Sequence, residues 1–330
     1  MYRYLLIYST RIKRSKYGPS IILVLFRMVR KATKKKRKTR RRRLRGGSQN
    51  YLFLDMLNDI EGLGNQLNLY CVALVVQKKI NLPLCLIRHE ANAHSEINYS
   101  NLFDGVFAKD LKIPPERIKA ATIALTAGGY GEEWSEGNIM FNPANVPKDY
   151  IVHTGRIPFI SYRPLYKVFP QVKEMLLKNE FGKDAYKKYR DTINNKCAYM
   201  HVRKGDFKER GWNLHEDYYG GALAKLDSAD IDTIYIFSND IPWCKGKDEK
   251  WKQNTKKKLV YDETPNELEV LYMMSLCTGG AILSASTFSS WGAYLGADMN
   301  PNSVIIYKHK IIQEREKPNP YQYPDRWIGL

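Results

Sequence analysis

Hydrophobic and polar positions follow two regimes along the chain. The run YLFLDML (residues 51–57) reads as a short strand. Behind it, Leu67, Tyr70, Cys71, Leu74 and Val75 recur at the i, i+3, i+4, i+7, i+8 spacing of one helix face. LPLCLI (82–87) then reads as a second strand, so Gly62 and Gly64 fall in a strand-to-helix turn. From residue 92 to about 150 the pattern weakens to loops and short strands such as NIMFN (138–142) and YIVHTG (150–155). Pro164 to Tyr189 reads as helical and carries the crossing into the second half.

The last 135 residues are regular. AYMHV (198–202) predicts a strand and EDYYGGALAKL (216–226) a helix. TIYIFS (233–238) is followed by a helix around PWCKGKDEKWKQ (242–253), and KLVYD (258–262) by NELEVLYMMSLC (266–277). AILSAS (281–286), SSWGAYLGAD (289–298) and SVIIYK (303–308) complete the series as strand, helix and strand. Short apolar strands alternating with helices build βαβ units and a parallel sheet. Ligands of such sheets sit at the carboxyl ends of the strands.

That rule gives meaning to HVRKGDF (201–207), where an apolar run ends in His201, Arg203, Lys204 and Asp206. Packing gives a strand no reason to finish with so much charge. Three more turns should face the same edge: FSND (237–240), STFSSWG (286–292) and, in the first half, GLGNQ (62–66). A helix start with open backbone N–H groups is an anion site. Thr287, Ser289 and Ser290 add hydroxyls there, and Arg203 adds a planar fork suited to phosphate oxygens. The ligand this chemistry suits is a phosphate or diphosphate.

The net charge of +19 would suggest a nucleic-acid binder, but its distribution does not. Residues 1–50 hold 18 Lys and Arg and no acid, whereas the other 280 residues carry 35 basic and 34 acidic side chains. Residues 31–47 are low-complexity and self-repelling, so the arm is expected to be disordered, with an anionic membrane, a nucleic acid or no specific partner as its fate. The apolar run Ile21–Phe26 is far short of the roughly 20 residues a membrane span needs. The five cysteines lack CxxC spacing and read as small buried thiols. His89, His94, His153 and His215 lack metal-site spacing. Asp230–Asp232 has DxD spacing but precedes a strand, at the wrong end of the sheet for a ligand, and Asn98–Ser100 is a lone glycosylation sequon.

GLGNQLNLYCVAL, HVRKGDF, FSNDIPWCK and LYMMSLCTGGAILSASTFSSWGAYLG occur in this order. Together they resemble the α-1,2-fucosyltransferases of glycosyltransferase family 11, over roughly residues 55–330. The resemblance implies an α/β, GT-B-like fold of two Rossmann-like domains whose parallel sheets face a cleft. It also implies transfer of L-fucose from GDP-fucose to a sugar hydroxyl with inversion, with no metal and no cofactor. By matching positions, Arg203 would neutralise the diphosphate leaving group, His201 would contact the nucleotide, and Lys204 would be a further donor-binding residue. Gly62, Gly64, Asn65 and Gln66 would form the facing wall, and Thr287, Phe288, Ser289 and Ser290 would cradle phosphate and sugar. Asp206 is the nearest carboxylate for catalysis, or an acid that orients Arg203. Asp240 and Trp243 are as readily structural as ligand-binding. The chain departs from the family at Lys204, where an Arg is usual, at Phe207 (Tyr) and at Glu61 (Gly). Val270 stands where an Asp is frequent, which leaves Glu269 as the acid for a nucleotide-base contact.

The expected organisation is a basic arm over 1–50, an acceptor-side α/β domain over 51–165 and a GDP-sugar-binding domain over 166–330. The expected partners are a GDP-sugar donor and a glycan acceptor. Alternatives are an inactive basic-tailed protein that binds nucleic acid or membrane surfaces on the same fold, and a transferase using another GDP-sugar. The sequence leaves oligomeric state and compartment open; a cytoplasmic or peripherally attached enzyme suits the arm, with a Golgi membrane as the alternative.

Overall fold

Two all-parallel sheets organise the described residues. In the computed structural model these are 49–55, 62–87, 102–123, 148–152, 165–178, 180–193, 196–209, 211–309 and 323–330. The basic arm through Ser48, Glu61, His89, His94, the sequon at Asn98, the strand expected at 138–142 and His153 lie outside them.

The first sheet has the order β3-β2-β1-β5-β4, with β1 (Leu52–Asp55) at its centre between β2 (Leu84–Ile87) and β5 (Tyr150–Val152). Its edges are β3 (Val106–Phe107) and β4 (Thr122–Ile123), two-residue strands whose pattern is too short to read from sequence. Helix α1 (Leu63–Ile80) joins β1 to β2, and twelve of its residues are buried, on more than one face, as expected for a helix packed on several sides. A five-residue helix α2 (Pro115–Lys119) follows β3. Its Arg117 grips Asp149 through Nε at 2.6 Å and Nη2 at 2.9 Å, and Asp149 also accepts from the Tyr51 amide at 2.8 Å.

The crossing forms two amphipathic helices, α3 (Phe169–Lys178) and α4 (Glu180–Tyr189). The second sheet follows, ordered β11-β10-β9-β6-β7-β8. Its strands are β6 (Cys197–Val202), β7 (Thr233–Ser238), β8 (Lys258–Asp262), β9 (Gly280–Ile282), β10 (Val304–Tyr307) and β11 (Ile328–Gly329). The connecting helices are α5 (Asp206–Glu209), α6 (Glu216–Leu226), α7 (Ile241–Lys245), α8 (Asp248–Lys252), α9 (Glu267–Leu276) and α10 (Thr287–Leu295). The chain is thus α/β with two parallel sheets, as expected.

Three local differences from the expected pattern have physical causes. The helix expected across Gly246 is two short helices, α7 and α8, with Gly246 as the C-cap of α7. Strand β9 stops at Ile282 because Ser284 turns its amide to the Ser289 hydroxyl at 3.2 Å, and α10 begins two residues early at Thr287. Edge strand β11 was not expected: it is two residues long and pairs with β10 after a long connection.

All five cysteines are free and buried, as small apolar side chains. One apolar cluster runs from Leu54 of β1 and Val72 of α1 through Phe169 of α3 to Leu271 of α9, Leu283 just past β9 and Trp291 of α10. Phe169 of α3 packs its ring 5.1 Å from Trp291 and 4.6 Å from Tyr294 of α10. Among the described residues, no helix is long and apolar enough to cross a membrane.

Candidate active site

Strand β6 is buried along its whole length, so alternation decides what leaves its carboxyl end on each face. Ala198, Met200 and Val202 enter the core formed with Tyr219, Leu223 and Trp251, whereas Cys197 and Tyr199 face the core that holds Trp291. His201 and Arg203 continue the second face and Lys204 the first. Two cations that adjoin in sequence therefore part company.

Lys204 is buried, its ammonium 3.7 Å from the centre of the Trp243 ring, with Lys247 at 5.5 Å from the same ring. Burial lowers its pKa, with Lys247 opposing the charge further. The structure thus sets the Lys204 ammonium against the Trp243 ring, while Arg203 continues the other face. The Lys204 amide donates to Asn239 Oδ1 at 2.8 Å, so the Asn of FSND fixes this turn. Asp240 caps α7 by accepting from the Trp243 amide at 3.0 Å, which is the structural role.

Arg203 stays partly exposed and meets Asp206 through Nε and Nη2, both at 3.0 Å from Oδ1. Its guanidinium carbon lies 5.5 Å from the Phe207 ring centre. A guanidinium has five donors, and this pair engages one edge, which orients the remainder. Asp206 therefore sits as an orienting acid at the start of α5.

His201 is buried, with Nδ1 2.8 Å from the Ser284 hydroxyl and its ring 5.6 Å from that of Phe288. Burial, reinforced by the charge of Arg203, pushes its pKa down to about 3. The imidazole is neutral near pH 7 and offers one donor and one acceptor rather than a positive charge. Through Ser284 it reaches α10: the Ser284 amide donates to Ser289 Oγ, and the Tyr199 hydroxyl donates to the Ser289 carbonyl at 2.6 Å. Strand end and helix start are therefore one hydrogen-bonded unit.

The hydroxyls expected to cradle a ligand are mostly occupied. Ser289 is fully buried, and Ser290 is buried against Tyr323. Thr287 donates across to Asn65 Oδ1 of the first half at 2.7 Å. Ser286, the N-cap residue of α10, makes no side-chain capping bond. What the turn offers a ligand is backbone and helix dipole more than hydroxyls.

The GLGNQ turn abuts this helix start. A Cβ on Gly64 would stand 2.4 Å from the Phe288 nitrogen and 2.7 Å from the Thr287 carbonyl carbon, whereas one on Gly62 would meet nothing within 4 Å. Gly62 is the N-cap of α1 and its carbonyl accepts from the Asn65 and Gln66 amides at 3.0 and 3.2 Å. Gln66 is buried. Asn68, which the sequence did not single out, accepts from Trp291 Nε1 at 2.9 Å. A polar residue inside an otherwise apolar helix face was the signal that could have found it.

Glu269 lies in the first turn of α9, where it accepts from the Tyr189 hydroxyl at 2.9 Å and pairs with Lys188 at 3.2 Å. Its carboxylate is thereby tied to α4, and Val270 packs partly buried against the core. Asp230 sits before β7 and meets Lys196 at 3.3 Å, at the sheet end opposite the site. Among the described residues, no three His, Cys, Asp or Glu side chains gather as a metal-binding group.

Residues 177–330 match the model of glycosyl transferase family 11. The resemblance read from the motifs is borne out over this stretch, which contains HVRKGDF, FSND and STFSS; the GLGNQ turn precedes it. No curated protein matches the chain. Several solved structures do. POFUT1 in complex with GDP is 12% identical, with 77% of this chain and 98% of that chain covered and a TM-score of 0.48. The fucosyltransferase NodZ from Bradyrhizobium is 11% identical, with 76% and 94% covered and a TM-score of 0.43. A NodZ alpha-1,6-fucosyltransferase soaked with GDP-fucose is 13% identical, with 76% and 93% covered and the same TM-score.

Proposed function

We propose that this chain transfers L-fucose from GDP-fucose to a sugar hydroxyl, with inversion and α-1,2 linkage. The observation that carries the reading is Arg203, held by Asp206 at a strand end that is hydrogen-bonded through His201 and Ser284 to the start of α10. It gains support from the family 11 match over the same residues. In the proposed division, residues 51–165 serve the acceptor and 166–330 the donor.

The chemistry follows from charge. The acceptor oxygen attacks the anomeric carbon from the face opposite the diphosphate, the bond from that carbon to the β-phosphate oxygen breaks, and GDP leaves with the electron pair. Negative charge grows on the departing oxygen, where a fixed guanidinium and helix dipole stabilise it without reorganising. His201, being neutral, contributes a hydrogen bond rather than charge. Asp206 is proposed to aim Arg203, and the acceptor proton passes to a base that remains unassigned. Lys204 and Glu269, occupied by Trp243 and by α4, are left out of the proposed donor contacts.

The test is a product-release screen with GDP-fucose, GDP-mannose and UDP-sugars, with and without chelator. Turnover of GDP-fucose alone, unaffected by chelator, is the expected result; preference for another donor would replace the sugar. Arg203→Ala should lower turnover by about 10²–10³, the usual loss for one preorganised donor to a developing anion. A variant at wild-type rate would remove Arg203 from the mechanism. Salt-sensitive RNA binding through residues 1–50, with no GDP binding, would instead favour an inactive basic-tailed protein.

A further inference from the structure

Among the described residues, the most exposed large apolar side chains are Tyr166, Leu177, Trp212 and Met299. Only Trp212 of these belongs to the loop that carries Arg203. The chain leaves α5 and reverses at Gly211, whose φ of +70° lies in the left-handed region that glycine tolerates. The reversal lets the Trp212 and Asn213 amides donate to the Phe207 carbonyl at 2.8 and 3.2 Å. It sets the Trp212 ring edge-to-face on Phe207, centroids 5.7 Å apart and planes at 89°. Phe207 in turn lies under the Arg203 guanidinium. A cation, a partly buried ring and a 36%-exposed indole thus form one contiguous ledge.

Leaving about a third of an indole exposed forgoes part of the stabilisation its apolar surface would gain on burial. A loop built with a positive-φ glycine and two amide bonds to keep that ring in place has a specific geometry to protect. Indole rings suit ligands with one apolar face and a polar rim. A pyranose is such a ligand: its axial C–H groups form an apolar face and its hydroxyls a polar rim. The rim chemistry is present as well. Asp206 binds Arg203 through Oδ1, leaving Oδ2 outside that pair on a side chain that is 35% exposed.

We infer that Trp212, braced by Phe207, is a stacking subsite for the acceptor sugar, with Asp206 as its hydroxyl-binding neighbour. This rests on the transfer reading for the word acceptor, but the sugar contact itself does not. It places part of the acceptor site on the half that carries Arg203, next to where the donor's diphosphate is proposed to lie.

Ligand-observed NMR titration with methyl β-galactoside and lactose, alongside GDP titration, tests it. Wild-type protein should bind at least one of the sugars saturably. Trp212→Ala should weaken that binding about tenfold with GDP affinity unchanged, and Trp212→Phe should recover most of it. Equal sugar affinity in Trp212→Ala, or no sugar binding by wild type, overturns the subsite. So does parallel loss of GDP and sugar, because the aromatic pair would then only brace the Arg203 loop. Sugar binding that depends on Trp212 in a protein that neither binds GDP nor turns over GDP-fucose upholds the subsite and sinks the transfer reading instead.

Discussion

Helices of the second sheet begin in two ways. Three of them, α6, α7 and α9, are closed by a side chain: His215 accepts from the Asp217 amide, Asp240 from Trp243, and Asn266 from Leu268 and Glu269, whereas α8, whose N-cap is Lys247, makes no such bond. Helix α10 has a competent N-cap residue, Ser286, that makes no such bond, and α1, which abuts it, begins with Gly62, which has no side chain to offer. A capped helix start spends its open N–H groups on itself; an uncapped one keeps them, and the positive end of its dipole, for something else. The two open starts meet where Gly64 touches Thr287 and Phe288.

The largest test of that contrast concerns what supports α10 instead of a cap. His201 does so through Ser284, and only while its ring is neutral and buried. The unfolded chain gains a proton on this side chain as pH falls below 6.5, whereas the folded chain refuses it until about 3. Stability should therefore be fully present above pH 6.5 and fall through the window from 6.5 to 3, by up to about 1.4 kcal/mol per pH unit from this residue. Urea midpoints measured from pH 7.5 to 4.5 should drop less steeply in His201→Asn than in wild type. Identical slopes would mean that the imidazole is not the acid-sensitive link.

Next in size is the contact between the two starts. Gly64→Ala puts a methyl into backbone that cannot swing aside as a side chain would, and should cost about 1–3 kcal/mol while weakening GDP binding, because Thr287 and Phe288 must move. Gly62→Ala, with nothing within 4 Å of the added carbon, should leave both nearly unchanged. Thermal melts and GDP titrations of the pair read it directly. Equal effects would show that the close approach is not what α10 depends on.

These tests also show what could be read in advance. Helix α6 and strands β7 and β8 fall at the residues their apolar runs predict, because polar and turn residues bound each run within the local sequence. The edge strands β3, β4 and β11 were not foreseen, since two residues carry no period and pairing is decided by distant chain. At the site, the charged strand end and the helix start are legible in the pattern of residues, whereas which of their side chains stay open is not. HVRKGDF places two cations in adjacent positions, and only the pleat, with Trp243 waiting on one face, separates Arg203 from Lys204. Thr287 looked like a ligand hydroxyl until Asn65, more than two hundred residues earlier, proved to be its partner. Long-range partners of polar side chains leave no local trace.

The smallest test compares the caps themselves. Asp240→Ala removes the acceptor of the Trp243 amide and should lower stability by about 1 kcal/mol, with GDP affinity unchanged because α7 lies on the Lys204 face. Ser286→Ala deletes a hydroxyl that caps nothing and should shift the melting midpoint by far less. If its hydroxyl serves a bound diphosphate, its effect should emerge only when GDP is present. Melting each variant with and without saturating GDP separates the cases, since a ligand that binds only the folded state raises the midpoint by an amount that grows with the logarithm of its affinity. A Ser286→Ala loss as large as that of Asp240→Ala in the absence of GDP would mean α10 is capped after all, and the contrast between closed and open helix starts would no longer hold.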